Sequence, residues 1–187
     1  MSLEIERKWL LQQALPESWE RLLQEKVETV YYSKDPEVRF RKRGEREAVV
    51  TLKLSGDDPL AREELEMPID FASYDRLTKG EKILSRDDLH LRLPTGEVLE
   101  VSYIPDLDIT YAEIEFPSLE QAKAFKPPFD WGEEVTGQAW HSFYEVYQRW
   151  LRRPFEQLYY HDPEVGEAEV EVLAVDGNKV KIEPQLF

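Results

Sequence analysis

Long charged side chains recur at every second position in several short segments of this 187-residue chain. On a β-strand, side chains two residues apart project from the same face. Four segments therefore present a charged face, and a fifth adds Lys53: Glu4, Glu6 and Lys8; Arg39, Arg41 and Arg43; Arg62, Glu64 and Glu66; Glu113 and Glu115. One such set is more often a solvated strand face than a site, but four sets in one small domain favour a common site.

The two signs of charge indicate what such a site would bind. If the strands close into a barrel with the charged faces inward, the interior must hold water, ions and a charged ligand. Arginine and lysine donate to phosphate oxygens, and paired glutamates suit hard cations such as Mg²⁺ or Mn²⁺. The combination matches a metal-bound polyphosphate and predicts phosphoryl-transfer chemistry, in which positioning and charge neutralisation supply most of the rate.

The elements that must position these charges are mostly strands. Alternation of polar and apolar residues predicts strands at residues 3–11, 29–33, 37–44, 47–56, 61–69, 88–96, 96–104 and 111–116. Helical spacing and capping residues predict helices at residues 17–28, 70–80, 118–125 and 138–153. A final hairpin is predicted to turn near Asp176 and Gly177. We expect one α+β domain over residues 1–155, with an acidic extension over residues 156–187 packed on it.

Charge and composition narrow the function classes. The formal net charge of −15 disfavours binding to a long nucleic-acid duplex, but basic residues cluster at 39–46, where a small anion could be held. The chain contains no cysteine, which excludes a disulfide, a thiolate metal site and a cysteine nucleophile. It shows neither a signal-peptide pattern nor the run of about 20 apolar residues that a membrane-spanning helix needs. We expect a cytoplasmic monomer or homodimer without membrane or nucleic-acid partners.

Six short motifs, in order, resemble those of the triphosphate tunnel metalloenzymes, also called the CYTH superfamily. The sequence "EIERK" resembles the E-x-E-x-K signature, "VRFR" the arginine strand, "TLKL" the T-x-K strand, "REELE" the R-x-E-x-E strand, "AEIEF" the E-x-E strand and "GEEVTG" the E-V-T segment. The match spans residues 3–145. The resemblance implies a closed eight-stranded antiparallel β-barrel with flanking helices, one of which closes a tunnel mouth, and a triphosphate bound inside with a divalent metal.

The resemblance also implies roles for particular residues. The expected metal ligands for Mg²⁺ or Mn²⁺ are Glu4, Glu6, Glu113 and Glu115. The expected phosphate clamp is Lys8, Arg39, Arg41, Lys53 and Arg62, with Arg43 as a further candidate on the same face. Glu64 and Glu66 are expected to be ligands or to orient the attacking water. Tyr31 aligns with a tyrosine that lies near the phosphates, so Tyr31, Lys8, Glu64 and Glu66 form the predicted catalytic group.

The chain departs from the family pattern at two places. Many members carry K-x-R on the strand after the central helix, where Lys82, Arg86 or Arg92 could substitute here. We favour Arg92 because it alternates cleanly with Leu91 and Leu93. Members also carry an aspartate where this chain has Ser102, and a serine brings no negative charge to a cation. Glu100, on the same predicted face, could partly compensate.

These features lead to one favoured function and two alternatives. The favoured function is metal-dependent hydrolysis of a triphosphate, with inorganic tripolyphosphate as substrate because no motif for recognising a base is visible. A class IV-type adenylyl cyclase would bind ATP on the same scaffold. A non-catalytic module that binds polyphosphate or a nucleoside triphosphate is the third hypothesis.

Isolated imidazoles are rarely ligands among carboxylates, so His90 and His141 are not predicted to bind the metal.

Overall fold

The computed structural model describes residues 2–54, 60–156, 171–173 and 179–181. The chain divides into two compact units, residues 1–147 and residues 148–187. The first unit contains a closed antiparallel β-barrel, and the second contains part of a helix and a two-stranded antiparallel sheet. The α+β class and the closed barrel expected from the sequence are confirmed.

Eight strands form the barrel: β1 (Ser2–Leu10), β2 (Glu20–Lys34), β3 (Glu37–Arg43), β4 (Glu47–Leu54), β5 (Ala61–Ile69), β6 (Leu84–Arg92), β7 (Val98–Ile104) and β8 (Ile109–Glu115). Their spatial order is β1-β5-β4-β3-β2-β6-β7-β8. Strand β1 pairs with β5 as far as Ile5 and with β8 from Glu6 onward. This change of partner within one strand closes the ring, so the sheet has no free edge.

The helices of the described residues are α1 (Phe71–Leu77), α2 (Leu119–Ala124) and α3 (Phe143–Glu156). Helix α1 begins after Asp70, whose carboxylate accepts the backbone N–H of Ser73 at 2.8 Å, and α2 begins after the capping residue Ser118. Both were predicted. Helix α3 starts later than predicted, because residues Ala139–His141 form a separate 3₁₀ turn. No helix in this described part is long and apolar enough to cross a membrane.

The predicted C-terminal hairpin is represented by two short strands. Strand β9 (Glu171–Leu173) pairs antiparallel with β10 (Lys179–Lys181), with Val172 opposite Val180. The expected turn at Asp176 and Gly177 lies outside the described residues.

The helix predicted at residues 17–28 is wrong, because most of this segment belongs to β2. Strand β2 pairs with β3 on one side and β6 on the other, and this pairing along both edges satisfies its backbone groups. Its register against β6 shifts between Arg21 and Leu23. The irregularity interrupts the alternation of polar and apolar residues at Leu22 and Leu23. The apolar residues of this segment therefore imitate a helical period.

The main apolar core lies on the outer side of the barrel. Outward residues of neighbouring strands, including Trp9, Leu91, Leu99 and Ile114, are buried. They pack with residues from the segment after β8: Phe116, Leu119, Ala122, Phe125, Phe129 and Trp131. Because adjacent residues on a strand face opposite ways, burying this outer set directs the intervening charged residues into the barrel.

Arg7 fastens the segment after β8 to strand β1. Its Nη1 donates to the carbonyl oxygens of Ala122 at 2.8 Å and Phe125 at 2.7 Å. Its Nε and Nη2 form a fork with the Glu134 carboxylate at 2.8 and 2.7 Å. Arg7 lies between Glu6 and Lys8 in the sequence but on the opposite face, so this contact fixes the orientation of both.

Gly132 provides a test of how closely this segment approaches β1. A Cβ atom at Gly132 would lie 2.4 Å from the Leu10 carbonyl oxygen, and φ is +118°. Gly96 also has a positive φ, +105°, but a Cβ there would meet nothing within 4 Å. We expect Gly96→Ala to cost about 1–3 kcal/mol through backbone strain alone. Gly132→Ala should cost clearly more, measured by urea unfolding, and equal costs would contradict the close approach.

Candidate functional site

The charged faces of the strands converge on one cavity of about 1190 Å³. All eight barrel strands contribute to its lining, together with residues 135–139 and 141–144. Its charged lining comprises Glu4, Glu6, Lys8, Lys34, Asp35, Glu37, Arg39, Arg41, Arg43, Lys53, Arg62, Glu64, Glu66, Arg86, Glu100, Glu113 and Glu115. The structure therefore brings together every predicted metal ligand and every residue of the predicted phosphate clamp, but not Arg92.

Carboxylates and cations within the cavity form close pairs. Glu4 accepts from Lys53 at 2.7 Å. Glu6 accepts from Arg62 at 3.1 Å, and the Glu113 carboxylate lies 3.1 Å from the Lys8 ammonium. Glu37 and Glu64 approach Arg39 at 3.4 and 3.7 Å. Burying an unpaired ion costs several kcal/mol. The barrel can therefore fold with a charged interior only because its buried charges are paired.

The carboxylates also crowd one another. Burial raises the pKa of Glu113, and the nearby Glu6 and Glu100 raise it further although Lys8 opposes them. Burial likewise raises the pKa of Glu115, with additional repulsion from Glu4 and Glu64. For Glu6, the effect of burial is outweighed by Lys53 and Arg62, which hold its pKa below the usual value. A cluster of carboxylates that repel one another is an environment that favours an added cation.

The basic side of the cavity is similarly crowded. Burial and the neighbouring Arg39 and Arg43 lower the pKa of Arg41 to about 10, against the pull of Glu66. The Nε atoms of Arg39 and Arg41 are buried and have no hydrogen-bond acceptor among the described residues. These two unsatisfied donors, on guanidinium groups that repel one another, favour an added anion.

The donor chemistry fits a divalent metal, although the ligands are not already gathered around one point. Within the described ranges, no group of three His, Cys, Asp or Glu side chains is close enough to hold a metal ion as the side chains stand. Glu4, Glu6 and Glu113 are each engaged by a cation of the barrel. Their carboxylate oxygens are nevertheless the donors that hard cations prefer, and their mutual repulsion is the feature a cation would relieve.

Glu66 and Tyr31 occupy different surroundings from the other predicted catalytic residues. Glu66 accepts from Arg41 and from Arg43, and the Thr51 hydroxyl donates to it at 3.0 Å. Burial opposes ionisation, but Arg41 and Arg43 lower the pKa of Glu66 to about 2. Tyr31 is buried behind Arg39, whose Nη1 donates to the tyrosine hydroxyl at 3.4 Å.

The structure does not place Arg92, the predicted substitute for the K-x-R motif, at the cavity. The exposed Arg92 side chain donates to Glu20 at 3.1 Å and does not line the cavity. Arg86, only 5% exposed, lines the cavity instead. Both residues share one face of β6, but Arg92 is the last residue of the strand and pairs with Glu20 at the start of β2. Alternation identified the face but not how far the cavity extends along it.

Sequence reasoning missed Asp88, which is 3% exposed. Asp88 accepts from Arg86 and lies directly opposite Ser102, whose hydroxyl donates to it at 2.8 Å. The carboxylate beside Ser102 is therefore Asp88, whereas Glu100 lies near Arg86 and His90. The predicted strand began at residue 88, so Arg86 and Asp88 were not recognised as neighbours on one strand face. A predicted strand that began at Leu84 would have placed both residues on the charged face.

The beginning of α3 contributes an aromatic wall. The Lys8 ammonium lies 3.4 Å from the centroid of the Phe143 ring and 4.2 Å from that of Tyr111. The Arg86 guanidinium lies 4.5 Å from the same Phe143 centroid. Tyr144 and Tyr147 pack on Tyr31. These cation–π contacts stabilise buried cations without occupying their hydrogen-bond donors with carboxylates.

The fold and the cavity define a closed antiparallel barrel protein with a charged cavity inside the barrel. No known protein-family profile matches the sequence. An inorganic triphosphatase from Nitrosomonas europaea is 34% identical over 105 residues, which are 54% of this chain and 67% of that protein. The crystal structure of the inorganic triphosphatase NE1496 matches with a TM-score of 0.52 and 28% identity, covering 76% of this chain and 92% of that one.

A second crystal structure of NE1496, described as a hypothetical protein, gives the same TM-score of 0.52 and 28% identity, covering 74% of this chain and 93% of that one. The chain belongs to the CYTH superfamily of triphosphate tunnel metalloenzymes. This confirms the membership inferred from the six motifs.

Two threonines on the inner face of the barrel test whether hydrogen bonds to the charged residues stabilise the fold. Thr51 is fully buried, accepts from Arg41 at 3.4 Å and donates to Glu66. Thr29 is 3% exposed, and its hydroxyl has no partner among the described residues. Thr51→Val should lower the free energy of unfolding by about 1–2 kcal/mol, whereas the isosteric Thr29→Val should be neutral or stabilising. Chemical unfolding of both variants measures the difference, and equal losses would contradict it.

Proposed function

We propose that this protein hydrolyses triphosphates, with inorganic tripolyphosphate as the preferred substrate, and that it requires Mg²⁺ or Mn²⁺. The observation that carries the proposal is the convergence of mutually repelling carboxylates and mutually repelling guanidinium groups on one cavity. A metal-bound triphosphate would bring a cation to the carboxylates and an anion to the guanidinium groups at once. The similarity to an inorganic triphosphatase supports the same substrate class.

The basic residues of the cavity would hold the substrate. Arg39 and Arg41 each have a buried Nε donor without an acceptor in the part of the chain that the structure describes. Lys53, Arg62 and Arg86 also line the cavity, and the Lys53 ammonium and the Arg62 guanidinium would exchange carboxylate partners for phosphate oxygens. Lys8, stacked on Phe143, would neutralise charge that develops on the phosphoryl group during transfer.

The carboxylates divide into two roles. Glu4, Glu6, Glu113 and Glu115 would hold the divalent cation, which when bound supplies charge neutralisation at the phosphates. Of the two remaining candidates, Glu64 is better suited than Glu66 to orient the attacking water and accept its proton. Two arginines and Thr51 hold Glu66 as a weak base with a pKa of about 2, whereas Glu64 makes only longer contacts, 3.6 Å to Lys53 and 3.7 Å to Arg39.

Release of orthophosphate from tripolyphosphate by the purified protein tests the proposal. We expect release with Mg²⁺ or Mn²⁺, none in EDTA, and recovery when metal is restored. ATP in place of tripolyphosphate separates the alternatives, since a cyclase would yield cyclic AMP and pyrophosphate. Binding that raises the melting temperature without phosphate release under any divalent ion would instead support the non-catalytic module.

Two variants connect the activity to the cavity. Glu4→Gln preserves shape but removes a predicted metal ligand, so we expect the rate to fall by at least about a hundredfold. Arg92→Ala removes a cation from the exterior pair with Glu20 and should retain the wild-type rate. An unchanged rate in Glu4→Gln, with a wild-type melting temperature, would rule out Glu4 as a metal ligand.

A further inference from the structure

Asp88 and Arg86 form a pair that differs from the other ion pairs in the cavity. Arg86 Nε donates to Asp88 at 2.8 Å, and its Nη2 donates to the second carboxylate oxygen at 2.9 Å. This forked arrangement fixes both the position and the plane of the guanidinium. The Arg86 and Asp88 side chains are 5% and 4% exposed, so solvent competes little for the contact.

Both oxygens of Asp88 are engaged by the protein. Oδ1 accepts from Arg86 Nε and from the Ser102 hydroxyl at 2.8 Å, while Oδ2 accepts from Arg86 Nη2. Asp88 is therefore arranged to hold Arg86 and is poorly placed to bind a metal or a water.

The third guanidinium nitrogen of Arg86, Nη1, is available to a ligand. Nη2 has a second, longer contact of 3.4 Å with Glu100. Nη1 makes no hydrogen bond with any residue that the structure describes, although Arg86 lines the cavity. Phe143 covers the guanidinium at 4.5 Å. Three neighbours thus orient the group and leave one edge available to a phosphate oxygen.

We propose that Asp88 is a positioning residue that holds the Arg86 guanidinium ready to bind a phosphate oxygen of the substrate. The inference rests on the proposed triphosphatase function, and it assigns to Asp88 an effect on substrate binding that acts only through Arg86. Residues 88 and 102 are directly opposite each other on β6 and β7. The position of the carboxylate can therefore be tested by moving it across the strand pair.

The experiment compares the variant Asp88→Ser with the double variant Asp88→Ser, Ser102→Asp. Asp88→Ser should raise KM for tripolyphosphate about tenfold to a hundredfold, the equivalent of losing hydrogen bonds to a charged group, with a smaller fall in kcat. The double variant should return KM to within a few fold of the wild type. Asp87→Asn is the matched control, because Asp87 is exposed on the opposite face of β6, and it should leave KM unchanged.

The split between KM and kcat separates positioning from a general structural role. A merely destabilised enzyme contains fewer active molecules, which lowers kcat and leaves KM unchanged. The proposal would be overturned if Asp88→Ser left KM unchanged. It would also be overturned if the double variant failed to recover KM while melting like the wild type, or if Asp88→Ser altered only the Mg²⁺ concentration needed for half-maximal rate.

A calorimetric titration with tripolyphosphate in EDTA separates this inference from the proposed reaction. If the wild type binds tripolyphosphate but releases no phosphate with any metal, hydrolysis is refuted. The Kd for tripolyphosphate then tests the role of Asp88 independently of turnover. It should rise in Asp88→Ser and recover in the double variant Asp88→Ser, Ser102→Asp. If the wild type neither binds nor hydrolyses tripolyphosphate, both proposals fail.

Discussion

The structure depends on one constraint: a buried charge must face an opposite charge. The inner surface of the barrel concentrates glutamates, arginines and lysines at a depth where water screens them little. Pairs such as Glu4 with Lys53 and Glu113 with Lys8 satisfy that constraint across different strands. Both of these pairs join residues distant in sequence, so these charges are neutralised only when the strands are assembled.

This interior reverses the usual arrangement of a small barrel. Apolar side chains such as Trp9, Leu91 and Ile114 lie outside and are covered by the segment after β8. That outer core supplies the hydrophobic stabilisation, while the charged interior is a weak source of stability because desolvation offsets much of the attraction between partners. A charged interior of this kind is better explained by a ligand that it binds than by the fold that it supports.

The sequence predicted much of this arrangement because alternation and charge are local properties. Spacing alone assigned Glu4, Arg41 and Glu115 to charged strand faces, and the resemblance to the CYTH superfamily implied the closed barrel that turns those faces inward. The errors arise where the result depends on distant partners. The register shift in β2 disguised a strand as a helix, and the position of Arg92 beyond the cavity depends on its pairing with Glu20. Asp88 was missed because the predicted strand began at that residue, and its contact with Ser102 became known only from the pairing of β6 with β7.

The most direct test of this account replaces one inner ion pair with apolar residues of similar size, Glu4→Leu with Lys53→Met, and follows thermal unfolding with and without tripolyphosphate. Without ligand, the double variant should unfold at or above the wild-type temperature, because an apolar pair avoids the desolvation of two ions. Tripolyphosphate should raise that temperature far less than it does in the wild type. A large loss of stability in the double variant, or an undiminished ligand shift, would contradict the claim that these charges are held inside the barrel to bind a ligand.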